Sequence, residues 1–117
     1  MATGMQINNI AILDPMDAKG EYFFDTPIVG SNGRGLSTPA PYSVLTWHFD
    51  SLTAAEYAWW FTTLLSGAAS AEFSQCKLFN QVGALTTYTH CVVRRPTYGE
   101  FRDGLMYDVT VVIDRIY

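Results

Sequence analysis

Long apolar runs, basic clusters and closely spaced cysteines are all missing from this sequence, and each absence removes a class of function. No stretch approaches the ~20 apolar residues needed to cross a bilayer as a helix. The start, MATGMQINNIAILDP, lacks a basic segment followed by an apolar core, so it does not read as a secretory signal. Seven Lys and Arg against eleven Asp and Glu leave a formal net charge of −4. That is the wrong sign for tight non-specific binding to nucleic acid. Arg94 and Arg95 are adjacent, while Lys19, Arg34, Lys77, Arg102 and Arg115 are scattered. The expectation is a product made in the cytoplasm, with no membrane contact and no tight nucleic-acid binding. Two cysteines, Cys76 and Cys91, do not make a disulfide framework and read as reduced small hydrophobes on neighbouring strands. His48 and His90 stand at no ligand spacing from them, so no metal is expected.

Catalytic patterns are equally scarce. The chain has no nucleophile elbow, no Walker loop, no HExxH and no CxxC. GSNGRG at 30–35 lacks the strand-to-helix context and the Lys-Ser/Thr ending of a phosphate loop, and reads as flexible loop. Asp108 and Asp114 share one face of a strand but stand about 20 Å apart, too far for a working carboxylate pair. No catalytic residue and no cofactor are therefore expected.

What the chain does have is apolar and aromatic content: 49% hydrophobic and 15% aromatic residues against 15% charged, over 117 residues. One ordered domain with a real core follows, 1–117, and so little charge implies that apolar surface is covered by other subunits. INNIAILD reads as a first strand, with Ile10 and Ile12 on one face, DPMDAKG as a turn, and EYFFDTPIV as a second strand. About 25–42 is a long Gly/Pro-rich loop with almost no apolar period, of a length that is usually functional. YSVLTWHFD then alternates, with Leu45, Trp47 and Phe49 on one side.

A helix over about 53–66 follows, opened by Thr53 and Glu56 as a capping box and stopped at Ser66-Gly67. AEFSQCKLFN, ALTTYTHCVVRRP and GLMYDVTVVIDRIY return to period two, and Arg102-Asp103-Gly104 marks a turn between the last two strands. The fold class is mainly β: an antiparallel β-sandwich or barrel with one flanking α-helix and a long Gly/Pro-rich loop.

Two adjacent tryptophans stand in the helix. Neighbouring residues on an α-helix point about 100° apart. With Tyr57 at 0°, the residues Trp60, Phe61, Leu64 and Leu65 make the core stripe, and Trp59 falls near 200° among Glu56, Thr62 and Thr63. Trp60 is thus assigned to the core. Three partners stay open for Trp59: the loop or a groove of its own chain, a second subunit, or a stacked ligand.

The order of elements, a glycine-rich loop, a strand carrying LTWHF, the capped helix LTAAEYAWWFTTLL and a strongly alternating β half, resembles the tail tube and distal tail (baseplate hub) family of tailed bacteriophages. The resemblance implies a β-sandwich or barrel flanked by one helix that assembles into rings, with long loops reaching neighbouring subunits. It further implies a non-enzymatic virion structural protein, made in the host cytoplasm, whose partners are copies of itself in a homo-oligomeric ring and neighbouring virion proteins. Acidity suits a lumen through which DNA slides without sticking. Subunit-interface candidates are Trp59, Thr62 and Thr63 on the helix, Gly30, Asn32, Arg34, Leu36 and Pro39 in the loop, and the Arg94-Arg95 pair. The rival functions are a capsid decoration protein and a carbohydrate-binding β-sandwich module that stacks sugars on Trp47, Trp59 or Tyr98.

Overall fold

The structure, a computed structural model, describes residues 4–12, 20–31, 33–39 and 41–117. It is mainly β, with two antiparallel sheets and one flanking helix, consistent with the β-sandwich the alternation predicts. In chain order the strands are β1 (Gln6–Ile7), β2 (Ile10–Ala11), β3 (Glu21–Asp25), β4 (Ile28–Ser31), β5 (Ser37–Pro39), β6 (Ser43–Thr53), β7 (Ser70–Phe73), β8 (Cys76–Phe79), β9 (Leu85–Tyr88), β10 (Cys91–Arg94), β11 (Glu100–Arg102) and β12 (Leu105–Ile116). The larger sheet runs β3-β6-β12-β10-β7, with β11 paired to β12, and the smaller runs β2-β1-β8-β9. The predicted turn at 14–20 lies, except for Gly20, outside the described residues.

The two most regularly alternating segments form the centre. In the antiparallel β6–β12 pair, Leu45 faces Ile113, Trp47 faces Val111 and Phe49 faces Val109. Alternation sends all six side chains to one face, and all six are buried. Ile7, Cys76 and Leu78 of the smaller sheet close the other side of the same core. Gly20, just before β3, sits at φ +79 where a Cβ would run into the His48 carbonyl and the Phe49 ring, so this approach to β6 takes glycine alone.

Two segments that read as single strands are each broken once. AEFSQCKLFN becomes β7 and β8, and ALTTYTHCVVRRP becomes β9 and β10. One antiparallel register nevertheless runs through both breaks: Ala71 faces Val93, Phe73 faces Cys91, Cys76 faces Tyr88 and Leu78 faces Thr86. The four strands are therefore one long hairpin bent at 74–75 and 89–90, which carries it from the larger sheet to the smaller. Its far turn is held by Asn80, whose Oδ1 accepts from the Val82 and Ala84 N–H groups at 3.0 Å each. INNIAILD is not one strand either. Asn8 and Asn9 both take positive φ, 54° and 63°, and fold it into the β1–β2 hairpin, because asparagine tolerates the left-handed region. The predicted last hairpin is present, with Asp103 and Gly104 at φ 53° and 76° between β11 and β12.

The helix starts as read from the sequence. Thr53 accepts from the Glu56 N–H at 3.2 Å, and the Thr53 N–H donates back to Glu56 Oε1 at 3.0 Å, closing the capping box. Thr53→Ala is expected to cost about 1 kcal/mol in a denaturant melt, with Thr53→Ser restoring most of it.

Beyond the first turn the α-helix covers only Ala54–Ala58, and Trp59–Leu64 is π-helical. Bonding from residue i to i+5 widens the turn to roughly 80–85° per residue. At that spacing Trp59 lies roughly 50° from Leu64 and roughly 80° from Trp60, against about 140° and 100° on an α-helix. Glu56, Trp59, Trp60, Leu64 and Leu65 are consequently the buried set. Tyr57 and Phe61, expected in the core, instead stack on each other half-buried, with ring centroids 6.2 Å apart. The stop is at Ser66 and Gly67, both at positive φ, where the Gly67 N–H reaches the Phe61 carbonyl at 2.8 Å and the Ser66 N–H reaches Thr62 at 3.1 Å.

The predicted long loop over 25–42 is only partly loop. β4 and β5 pair within it as a two-stranded arm, with Ile28 opposite Pro39 and Ser31 opposite Ser37. The arm belongs to neither main sheet, and its strands pack chiefly on each other. This explains why no apolar period marks it: a ribbon with no core side has no face to bury. The radius of gyration, 15.1 Å, exceeds the roughly 13 Å of a compact domain of this length, and the long axis spans 54 Å against 29 and 27 Å.

Candidate functional site

The arm is the feature that the rest of the fold does not need. Ile28 is 68% exposed on β4, and Leu36, at the end of the turn, is 61% exposed. Gly30, Arg34 and the two turn glycines, Gly33 and Gly35, are exposed beside them. Asn32 lies outside the described residues, and Pro39 contributes its backbone to the β4–β5 pairing. The arm follows β3 after only two residues, and β3 is an edge of the larger sheet. Phe23, on that edge, is 65% exposed.

Beside the β3 edge a cleft of about 540 Å³ separates β3 from the end of the smaller sheet. Phe23, Phe24, Phe79 and Trp47 supply its apolar surface, and Asp25, Asn80 and Gln81 its polar rim. The Tyr22 hydroxyl donates to the Phe79 carbonyl across it at 2.7 Å, tying the two sheets together. Burial pushes the Tyr22 phenol above its ordinary value of 10, with the neighbouring Tyr88 adding to the rise. The unfolded chain therefore ionises first on the alkaline side. Stability is complete below pH 10 and is expected to fall by about 1 kcal/mol per pH unit as the pH climbs past it. Denaturant midpoints at pH 8 and pH 11 measure that drop, and Tyr22→Phe should remove much of it.

The remaining interface candidates are not gathered into one site. Trp59 is corrected: at 8% exposure it lies in the core of its own chain, edge-on to Trp60 with centroids 4.9 Å apart. The π-helical turn described above is the reason, since it swings Trp59 toward the core side. Thr62 and Thr63 remain exposed on the outer face of that segment. Arg94 donates from Nε to Asp114 Oδ2 at 2.9 Å on the larger sheet. Arg95 is exposed but occupied within its own chain, lying 4.7 Å over the Phe61 ring and donating to the Gly67 carbonyl at 3.1 Å. Cys76 and Cys91 lie on the two paired halves of the bent hairpin, Cys76 in the smaller sheet and Cys91 in the larger.

The sequence reading passed over the exposed apolar residues Phe23, Val82 and Phe101. Nothing marks them in advance, because a single exposed hydrophobe in an alternating strand looks like a core position until the facing sheet is known. They occupy the β3 edge, the Asn80 turn and the β11 hairpin, the first two on the borders of the cleft described above. Trp47 and Trp59 are both buried, and Tyr98 stands edge-on to Tyr57 at 5.6 Å. These three make no flat platform for a sugar ring.

Among the described residues no three His, Cys, Asp or Glu side chains come together in a way that could hold a metal ion. No helix among them is long and apolar enough to cross a membrane. No protein-family model, curated protein or solved structure matches the chain.

Proposed function

We propose that this chain is a non-enzymatic virion structural protein, a ring-forming bacteriophage tail subunit of the tube or tail tip. The observation that carries the reading is the β4–β5 arm, a two-stranded ribbon outside both main sheets with Ile28 and Leu36 exposed on it. A ribbon of two strands is marginal in water by itself and is stabilised when its apolar residues gain a surface to pack on. In the proposed ring that surface is a neighbouring copy. The free edge of β3 beside the arm adds main-chain donors and acceptors that an extended segment of a neighbour can pair with.

Two further features support assembly. The exposed apolar residues include Phe23 on the β3 edge and Phe101 on β11 as well as the arm, surface that neighbouring copies would cover. The net charge of −4 suits a lumen that DNA traverses without binding.

Light scattering over a concentration series, followed by negative-stain electron microscopy of the heaviest fraction, tests the reading. Mass rising with concentration and closed rings or stacked tubes are expected. A monomer at every concentration, or amorphous aggregate without ring geometry, would count against it.

A further inference from the structure

A ring is built from contacts between two different patches, because a patch that meets only its own counterpart closes after two copies. The arm is one such patch, and the fold holds a second that complements it in charge and in apolar character. Between Thr26 and Pro39 the arm carries a single charged side chain, Arg34, exposed at its turn. Leu36, two residues on, and Ile28 on β4 are both exposed. The arm therefore presents one cation flanked in sequence by aliphatic groups.

The cleft beside β3 is the converse. Phe23, Phe24 and Phe79 supply rings to it, and Asp25 is the one charged side chain among the described residues that line it. Glu21, on the same face of β3 as Asp25 by strand alternation and also exposed, adds a second carboxylate along that edge. Among the described residues, no Lys or Arg and no residue of the arm lines the cleft. Its volume of about 540 Å³ lies in the range of ligand sites and admits side chains that enter from outside. Aromatic surface with a carboxylate beside it suits a guanidinium, which stacks on ring faces while it pairs with the acid. This chain already places arginines so: Arg95 over Phe61 and Arg102 over Tyr107, each 4.7 Å from the ring centroid. β3 is also a sheet edge, so its outer main-chain groups are open to an incoming extended segment.

We propose that the cleft beside β3 is the receiving site for the arm of a second copy, with Arg34 set against Asp25 and with Ile28 and Leu36 packed on Phe23 and Phe79. Each copy then gives one arm and receives one, the head-to-tail contact that propagates around a ring. The assignment rests on the assembly reading above and names where the arm lands. Affinity comes chiefly from the apolar side chains leaving water, and the charge pair sets partner and register.

Charge reversal on the full chain at low ionic strength is the test, read by sedimentation over a concentration series. Asp25→Arg and Arg34→Asp both alter exposed side chains, so neither melting temperature should move by more than about 3 °C. Each variant alone sets like charges together in every contact, and the concentration at which mass rises should increase about tenfold or more. An equimolar mixture of the two should assemble near the wild-type concentration. There the unaltered arm of one variant meets the unaltered cleft of the other, and the two reversed groups meet in the alternate contact. A chain carrying both substitutions should recover likewise. Single variants that assemble like the wild type, or a mixture no better than its components, would overturn the proposal while leaving wild-type rings and the assembly reading in place. Recovery of the doubly substituted chain without recovery of the mixture would set Arg34 against Asp25 of its own chain and overturn it too. Recovery of the mixture as closed pairs would keep the receiving site and count against the ring. A wild-type chain that is monomeric at every concentration removes both.

Discussion

Trp60→Ala is expected to lose about 3–5 kcal/mol of folding stability, and Trp59→Ala nearly as much, when both are melted in denaturant beside the wild type. Trp60 is wholly buried and meets two other indoles edge-on, Trp47 at 6.1 Å and Trp59 at 4.9 Å between centroids. Removing it deletes the group that joins the helix to the centre of β6. Trp59 covers the outer side of that contact at 8% exposure, so its loss opens the same space from the other side. A domain of this size is stable by only about 5–15 kcal/mol, and either truncation leaves it close to unfolding. Thr62→Ala and Thr63→Ala, on the exposed face of the same segment, should change stability by less than about 0.5 kcal/mol. A Trp59→Ala protein that melts like the wild type would show instead that the segment keeps α-helical spacing and a single core tryptophan.

The second large effect falls on assembly rather than on folding. Charging the arm with Ile28→Asp and Leu36→Asp together should weaken self-association at least about a hundredfold, read as the shift in the concentration at which sedimenting mass rises. Each residue is more than half exposed in the single chain, so the folded protomer buries little of either and the melting temperature should barely move. In an assembled contact each side chain contributes about 1.5–3 kcal/mol when covered, and a buried unpaired carboxylate in its place costs more. The split between an unchanged melt and a lost assembly is what marks an interface residue. A variant that assembles like the wild type would place the contacts elsewhere, on the β3 edge or the outer sheet face.

Much of the sandwich was legible in the sequence because period-two alternation is a direct image of a half-buried strand. Leu45, Trp47 and Phe49 read as one side of an alternating strand, and all three are buried in the core. The capping box at Thr53 and Glu56 was equally readable, since both of its hydrogen bonds are local. Three things were not legible. The bends at 74–75 and 89–90 leave the alternation undisturbed, so a strand that changes sheets reads as one strand. The arm is a backbone pairing, which no residue pattern records. Trp59 was placed by assuming 100° per residue, and the π-helical bonding that changes that angle depends on how the segment packs rather than on the identity of any one residue. Of the candidate site, the exposed Gly30, Arg34 and Leu36 of the arm were read from loop composition, whereas Phe23 and Val82 emerge only once the sheet edges and turns are placed.

Hydrogen–deuterium exchange of the arm amides, followed as protein concentration is raised through the assembly range, tests the central claim most directly. Amides of 28–39 should exchange rapidly in dilute protein and become protected in step with the rise in mass, while the β6–β12 centre stays protected throughout. Particles that form while the arm continues to exchange at its dilute rate would contradict assembly through the arm.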